Sequence, residues 1–433
     1  MKKYILFLII VFLALTGKAE TKTDTISCRQ DSASIKVMAR VVDKKTGEPL
    51  SFASVYISEG KSTISNALGE FSLAADSADV LRISYVGYYT VRLQATEISG
   101  KIELESDGKM LGEVVVNSPE FVIKKTLRRC KKEMKEYKKH QANLFYRQIG
   151  YTDRQCTTFL ESFIRGNTVG SLEKLELLTG RYVALANSAT VNPANFYTFA
   201  QIPMYQNPVA DGWIEQIAPL SPDYKKFFFT EMEAIRMDNR KIYVVYFMPR
   251  SQKRWTINSR LYIDGETFQV LKYEGETLNN LVRHKEKKIN EILFAEHTFV
   301  VNFMTDNGFS EVQSVNYVTR YKIHEQLYEI TGTMFNVGDR YKELSKKTKK
   351  KKEDDLLEVV MEKNPDGSIS FSTRSSSTPT GPSDLKFNGN LMNSITQLGV
   401  DKEFWKKNEI VRRTPIEQKA VEIFEHDNLF GVF

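Results

Sequence analysis

Val41 to Ile57 reads V-V-D-K-K-T-G-E-P-L-S-F-A-S-V-Y-I, and this stretch decides the fold class. Before it, Lys36 to Val42 alternates apolar and polar residues, the pattern of a half-buried strand. Asp43 to Pro49 is a turn, in which Gly47 supplies a positive φ and Pro49 ends pairing. Phe52 to Ile57 is the next strand. Outward from there, Ser65 to Phe71 forms a second tight connection, with Asn66 bonding its own backbone and Gly69 opening the turn. Phe71 and Leu73 share a face. Val80 to Tyr85, Tyr89 to Leu93 and Lys101 to Leu104 complete a set of short strands, and Gly87 marks a bulge. Short strands at even spacing, punctuated by turn residues, imply a β-sandwich over residues 33–117.

The ends of the chain place it outside the cytoplasm. Lys2 and Lys3 precede the apolar run Tyr4 to Leu15, which is too short for a membrane span, and Gly17-Lys18-Ala19 offers small residues to a signal peptidase. Residues 1–19 therefore read as a signal peptide. Cys28 stands well beyond Ala19, which argues against a lipid anchor on it. The chain has 433 residues and a formal charge of +7, three units of which come from Lys2, Lys3 and Lys18. That mild excess in an exported chain argues against nucleic acid as a partner. It leaves peripheral contact with an anionic membrane surface or a glycan open. Three cysteines form no disulfide framework. Cys130 with Cys156 is the favoured pair if one bridge forms, and a buried free thiol at Cys130 is the simpler reading.

The sandwich resembles the carboxypeptidase regulatory-like domain, whose fold is transthyretin-like. The resemblance is carried by Val41-Val42-Asp43, Thr46 to Leu50, Ala53-Ser54-Val55, Asn66 with Gly69 and Phe71, Ile83 to Tyr88, and Glu113 to Val116. That family usually has Asp where this chain has Asn66, a change that keeps the turn and removes a charge. The resemblance implies an accessory β module of exported Bacteroidota proteins, often set before an outer-membrane transporter barrel. It implies no peptidase, because the zinc domain of a carboxypeptidase is a separate unit.

Ser118-Pro119-Glu120 starts a basic amphipathic helix over residues 118–140. Its apolar stripe is Ile123, Leu127, Cys130, Met134 and Tyr137, and lysines and arginines cover the rest. A helix packed on the β domains is favoured over one lying on a membrane. Residues 141–433 read as a larger antiparallel β domain, a curved sheet or half-open barrel. Its strand segments are Leu144 to Ile149, Lys241 to Met248, Ser259 to Ile263, Gln269 to Tyr273, Thr298 to Met304, Val312 to Tyr321 and Tyr328 to Asn336. Asp264-Gly265 and Asp306-Asn307-Gly308 mark two hairpins. The succession is similar in pattern to the lipoprotein-carrier fold, in which a sheet wraps an apolar pocket. Residues 341–382, first Lys-rich and then Ser/Thr/Pro-rich, read as a flexible surface insertion. Thr414 to Glu417 caps a final helix with Ile416, Ala420, Val421 and Phe424 facing inward. Asn195 to Tyr205 and Trp213 form an aromatic loop expected to plug the sheet as core.

Phe145-Tyr146-Arg147-Gln148 and Phe404 to Ile410 together resemble a Bacteroidota family that pairs a regulatory-like domain with such a region. There the first motif usually ends in Glu, and Gln148 replaces it here. No catalytic, metal or cofactor residues are assigned. His140, His284, His297, His324 and His426 lack the spacing of a zinc site and read as surface or turn residues. No nucleophile elbow or phosphate loop is present. The expectation is a mainly β, non-enzymatic, exported envelope protein that binds a protein partner or an apolar or glycan ligand. The alternatives are an accessory to an outer-membrane transport or polysaccharide-uptake system, and a hydrolase.

Overall fold

Seven short strands build the first domain: β1 (Ser34–Asp43), β2 (Ser54–Ser58), β3 (Lys61–Ile64), β4 (Glu70–Asp76), β5 (Val80–Ser84), β6 (Val91–Gln94) and β7 (Gly100–Leu104). The computed structural model describes residues 34–58, 61–85, 87–106, 117–137, 139–184, 202, 204–205, 217–237, 240–251, 257–278, 292–323, 326–338, 357–363, 369–375, 391–398, 400–407, 411–426 and 430–432. Residues 1–19, expected to be a signal peptide, and Leu111 to Val116 lie outside them. One sheet of the sandwich has the order β4-β1-β7 and the other β3-β2-β5-β6. Their inward residues, Val41, Val55, Phe71, Leu81, Ile83 and Leu104, are fully buried against one another. The first turn works as its residues suggest: the Asp43 carboxylate accepts from the Lys45 and Thr46 amides, each at 2.7 Å. In the second, Asn66 Oδ1 accepts from the Leu68 and Glu70 amides at 2.9 and 3.0 Å. Gly69 sits at φ +77° with the Val41 carbonyl 2.5 Å from where a Cβ would be, so no other residue fits there.

Helix α1 (Pro119–Glu136) follows, with the Ser118 side chain accepting from the Phe121 amide. Ile123 and Cys130 of the apolar stripe are buried, so the stripe packs inward. The stripe also carries a buried carboxylate that apolar periodicity overlooks. Glu133 accepts from Arg129 at 2.6 Å and from the Ser310 amide at 3.1 Å. The helix is thereby pinned to the second domain.

That domain is one open sheet of β8 (Gln141–Thr152), β9 (Gln155–Asn167), β10 (Glu173–Ala184), β11 (Phe228–Met237), β12 (Arg240–Pro249), β13 (Asn258–Asp264), β14 (Val270–Leu278), β15 (Ile292–Met304), β16 (Glu311–Ile323), β17 (Gln326–Gly338) and β20 (Phe430–Val432). The order is β11-β12-β13-β14-β15-β16-β17-β8-β9-β10-β20, antiparallel throughout and not closed into a barrel. Both expected hairpins are present. The Asp264 loop runs longer than a two-residue turn, with the Asp264 amide donating to the Gln269 carbonyl. β9, β10 and β11 had no counterpart in the sequence reading. β9 is buried on both faces over Thr157 to Ile164, so it shows no polar alternation.

Alternation along β8 sorts the two faces. Leu144 and Tyr146 point to a core shared with α1. Also in that core are Ile202, Met204, Ile217 and Leu220, and Leu391, Met392 and Ile395 of a helix at Leu391–Leu398. Ile202 and Met204 bear out the plugging role of the aromatic loop; Asn195 to Gln201 and Trp213 lie outside the described residues. On the other face, Phe145 and Phe163 pack with Ile64 and Phe52 of the sandwich and with Trp405 and Val411 near the C-terminus. The sheet thus carries α1 and the Leu391–Leu398 helix on one face, and the sandwich with the C-terminal segment on the other. The expected apolar interior beneath the helices is packed with side chains.

Three local expectations change. Residues 341–382 contain a two-stranded antiparallel ladder, β18 (Leu357–Lys363) with β19 (Ile369–Ser375); the rest of that stretch lies outside the described residues. Ile416, expected to face inward, is 69% exposed, while Ala420 and Val421 are buried. His297 is no surface histidine: it is buried on β15, its Nδ1 lies 2.9 Å from Thr319 Oγ1, and burial lowers its pKa to about 4. Cys130 and Cys156 are both free. His284 and His324 are outside the described residues.

Candidate functional site

Register places three rows of side chains across the sandwich-facing side of the sheet. The middle row is Val300, Asn316, Thr333, Arg147, Glu161 and Arg181, on β15, β16, β17, β8, β9 and β10. Below it run Thr298, Val318, Thr331, Ile149, Phe159 and Val183; above it Asn302, Ser314, Phe335, Phe145, Phe163 and Thr179. On β8 and β9, Phe145, Phe163, Ile149 and Phe159 flank the charged pair Arg147 and Glu161.

The charges in that row are closely paired. Glu161 is buried; its Oε1 accepts from Arg147 at 2.9 Å and its Oε2 accepts from Arg181 at 2.6 Å and Arg413 at 3.1 Å. Burial by itself would raise its pKa. Attraction to Arg147, Arg413 and Arg181 overrides that and holds it at about 2, against an ordinary 4.5. Arg147 also donates to the Val411 carbonyl at 2.6 Å and lies 3.5 Å from Glu417. Glu417 in turn accepts from the Thr414 amide at 2.6 Å, while the Glu417 amide donates to Thr414 Oγ1. This reciprocal cap starts the helix at Pro415–His426. Arg181 stacks 4.7 Å over Trp405, which lies on a short helix at Lys402–Lys407.

The two motifs singled out in the sequence meet here. Phe163 stands between them, with ring centroids 5.6 Å from Phe145, 5.3 Å from Phe404 and 5.4 Å from Trp405. Gln148 points to the opposite face. Its Oε1 accepts from Tyr146 Oη at 2.7 Å, and that hydroxyl lies 2.6 Å from Tyr317 Oη. An uncharged amide suits that buried position, where a carboxylate would find no cation among these partners.

Beside the charged row lies a pocket of about 490 Å³, the size of a small-ligand site. Its floor is Ile149, Asn316, Val318, Thr331 and Thr333 of the sheet. Phe52 and Asn66 to Leu68 of the sandwich form one wall, and Val411, Ile416 and Glu417 the other. Exposed Ile416 is thus a rim residue. Sandwich and C-terminal segment also touch directly: Asn66 Nδ2 donates to the Arg412 carbonyl at 3.4 Å, and Arg412 lies 3.8 Å from Glu70. An Asp at position 66 could keep both turn bonds but could not donate to Arg412. Asn66→Asp is therefore expected to leave amide exchange in the sandwich core unchanged, to speed exchange over residues 411–417, and to cost about 1 kcal/mol.

A second cleft of about 460 Å³ lies farther along the same face. It is lined by Arg82, Arg92 and Arg240 with Tyr85, Tyr88 and Tyr89, and is more polar. Among the described residues, no group of three or more His, Cys, Asp or Glu could hold a metal ion. No described helix is long and apolar enough to cross a membrane.

The fold is therefore a two-part architecture, a sandwich seated on one face of an open sheet. Residues 39–116 match a family model, the CarboxypepD_reg-like domain, as the motifs from Val41 to Val116 imply. No curated protein matches the chain. Three solved structures align with about half of it. A LolA superfamily protein from Nitrosomonas europaea is 8% identical, covering 51% of this chain and 94% of its own, with a TM-score of 0.22. A Vibrio parahaemolyticus domain, provisionally described as an outer membrane lipoprotein-sorting protein, is 10% identical over 52% and 98%, with a TM-score of 0.21. A DUF1329 family protein from Desulfovibrio piger is 7% identical over 49% and 92%, with a TM-score of 0.19. At those TM-scores the superpositions define neither a shared ligand nor a shared role.

Proposed function

We propose that this chain is a non-enzymatic, exported envelope protein that binds an apolar ligand in the pocket between sandwich, sheet and C-terminal segment. The pocket itself is the observation that carries this reading. Three segments far apart in sequence enclose it, and its surface is mainly hydrocarbon. The charges beside it, Arg147 and Glu417, are held by each other, by Glu161 and by backbone groups. Such a wall favours an uncharged guest. In this reading the sandwich is a structural wall, not a tether. The arginine- and tyrosine-lined cleft supports a second reading, a glycan or partner surface of an uptake system.

The uncharged solvatochromic naphthalene dye N-phenyl-1-naphthylamine tests the first reading on the full chain. Val318 is half-buried on the pocket floor, so Val318→Trp fills the space with little strain. The dye is expected to bind the unaltered chain and to bind Val318→Trp at least about tenfold more weakly, a difference of about 1.4 kcal/mol. Equal binding by both, or none by the unaltered chain, refutes the pocket as the site.

A further inference from the structure

One floor residue narrows the chemistry of the guest. Asn316 lies on β16 between Val300 and Thr333. It is 6% exposed, and among the described residues neither Oδ1 nor Nδ2 has a hydrogen-bond partner. A buried carboxamide left unpaired is destabilising, because it has given up water without gaining a partner. The strand does not require it, since its neighbours in the same face are Val318 and Ser314, and a valine would suit the pleat better. Three other polar residues of the pocket are committed elsewhere. Asn66 holds its own turn and Arg412; Arg147 and Glu417 hold the charged row and the helix cap.

We infer that the pocket takes a neutral amphipathic molecule: a hydrocarbon body with an uncharged amide-type head that presents a donor and an acceptor on one edge. This rests on the pocket being the binding site. The head pairs edge to edge with the Asn316 carboxamide, N–H to Oδ1 and C=O from Nδ2. The body lies along Ile149, Val318 and Val411. Exchanging oxygen and nitrogen in the Asn316 assignment leaves the match intact, because both edges carry one donor and one acceptor. Other heads fit less well. A carboxylate would accept from Nδ2 but set a negative oxygen against Oδ1, and the donors of nearby Arg147 are already engaged by Glu161, Glu417 and the Val411 carbonyl. An ester satisfies Nδ2 alone. A hydrocarbon satisfies neither. Sites that hydrogen-bond a ligand group reject analogues lacking it more strongly than apolar pockets reject an extra methylene.

Dodecanamide, methyl dodecanoate and sodium dodecanoate, each displacing the naphthalene dye from the full chain, separate these cases. Dodecanamide is expected to bind at least about tenfold more tightly than the ester and than the carboxylate. In Asn316→Leu, of similar size, the amide preference is expected to fall to within about twofold while the dye still binds. The same substitution is expected to leave the melting temperature unchanged or raised, since it removes an unpaired polar group. A structural role for Asn316 would lower it. Equal affinity of amide and ester for the unaltered chain, tighter carboxylate binding, or an amide preference that survives in Asn316→Leu overturns the inference and leaves the pocket standing. Failure of the dye itself to bind removes the pocket reading, and this inference with it. Should Asn316→Leu not fold, the amide–ester comparison on the unaltered chain decides alone.

Discussion

Glu161→Gln is expected to destabilise the chain by about 3–5 kcal/mol at neutral pH, measured by urea unfolding. The substitution keeps the size of the side chain and removes one charge. Three guanidinium groups, on Arg147, Arg181 and Arg413, then face one another inside the protein without the carboxylate they share, while Glu417 still pairs with Arg147. The pH dependence carries a defined sign. Glu161 has a folded pKa of about 2, below its ordinary 4.5. Its contribution is therefore present above about pH 4.5 and lost as pH falls through about 2, and the shift corresponds to about 3 kcal/mol. The gap between unaltered chain and Glu161→Gln should be widest at pH 7, narrow below pH 4.5, and be largely closed near pH 2. A gap that stays constant across that window would show that charge pairing is not what Glu161 supplies.

Phe163→Ala should cost a similar amount, about 3–5 kcal/mol. Phe163 is fully buried and meets three other rings. Those rings belong to the sheet and to the Lys402–Lys407 helix, so the loss is directional: the C-terminal segment loosens first. Limited proteolysis should cut within residues 402–417 before the sheet unfolds. Phe163→Leu, which keeps most of the volume, should show a smaller loss and slower cutting. Cutting spread evenly along the chain would argue that Phe163 serves the sheet alone.

The sandwich was legible because its turns are local. Asp43 with Gly47, and Asn66 with Gly69, carry their whole mechanism within a few residues. Asp264-Gly265 and Asp306-Asn307-Gly308 were legible for the same reason. The helix start at Ser118-Pro119 was too. The candidate site was not. Glu161 and Arg413 touch across 252 positions. A charged residue between apolar neighbours in a strand reads as solvent-facing, because period-two alternation cannot tell a wet face from one roofed by another domain. Asn316 was hidden by the same ambiguity, and Ile416 by the opposite one. The motif pair, Phe145 to Gln148 and Phe404 to Ile410, was the one usable signal. It marked two ends of a contact whose middle, Phe163, lies on a strand with no alternation to show it.

The position of β8 between β17 and β9 bears on how the chain reaches its final form. β8 is the first long strand of the sheet to be synthesised, yet one of its two edges waits for β17, made far later. Such long-range pairing folds slowly and leaves an open edge prone to association in the meantime. The pocket inherits this timing. Its floor needs β15 to β17, and its wall needs Val411 to Glu417. On the proposed reading no half-made chain holds a guest there, so binding competence comes late and only with the fold itself.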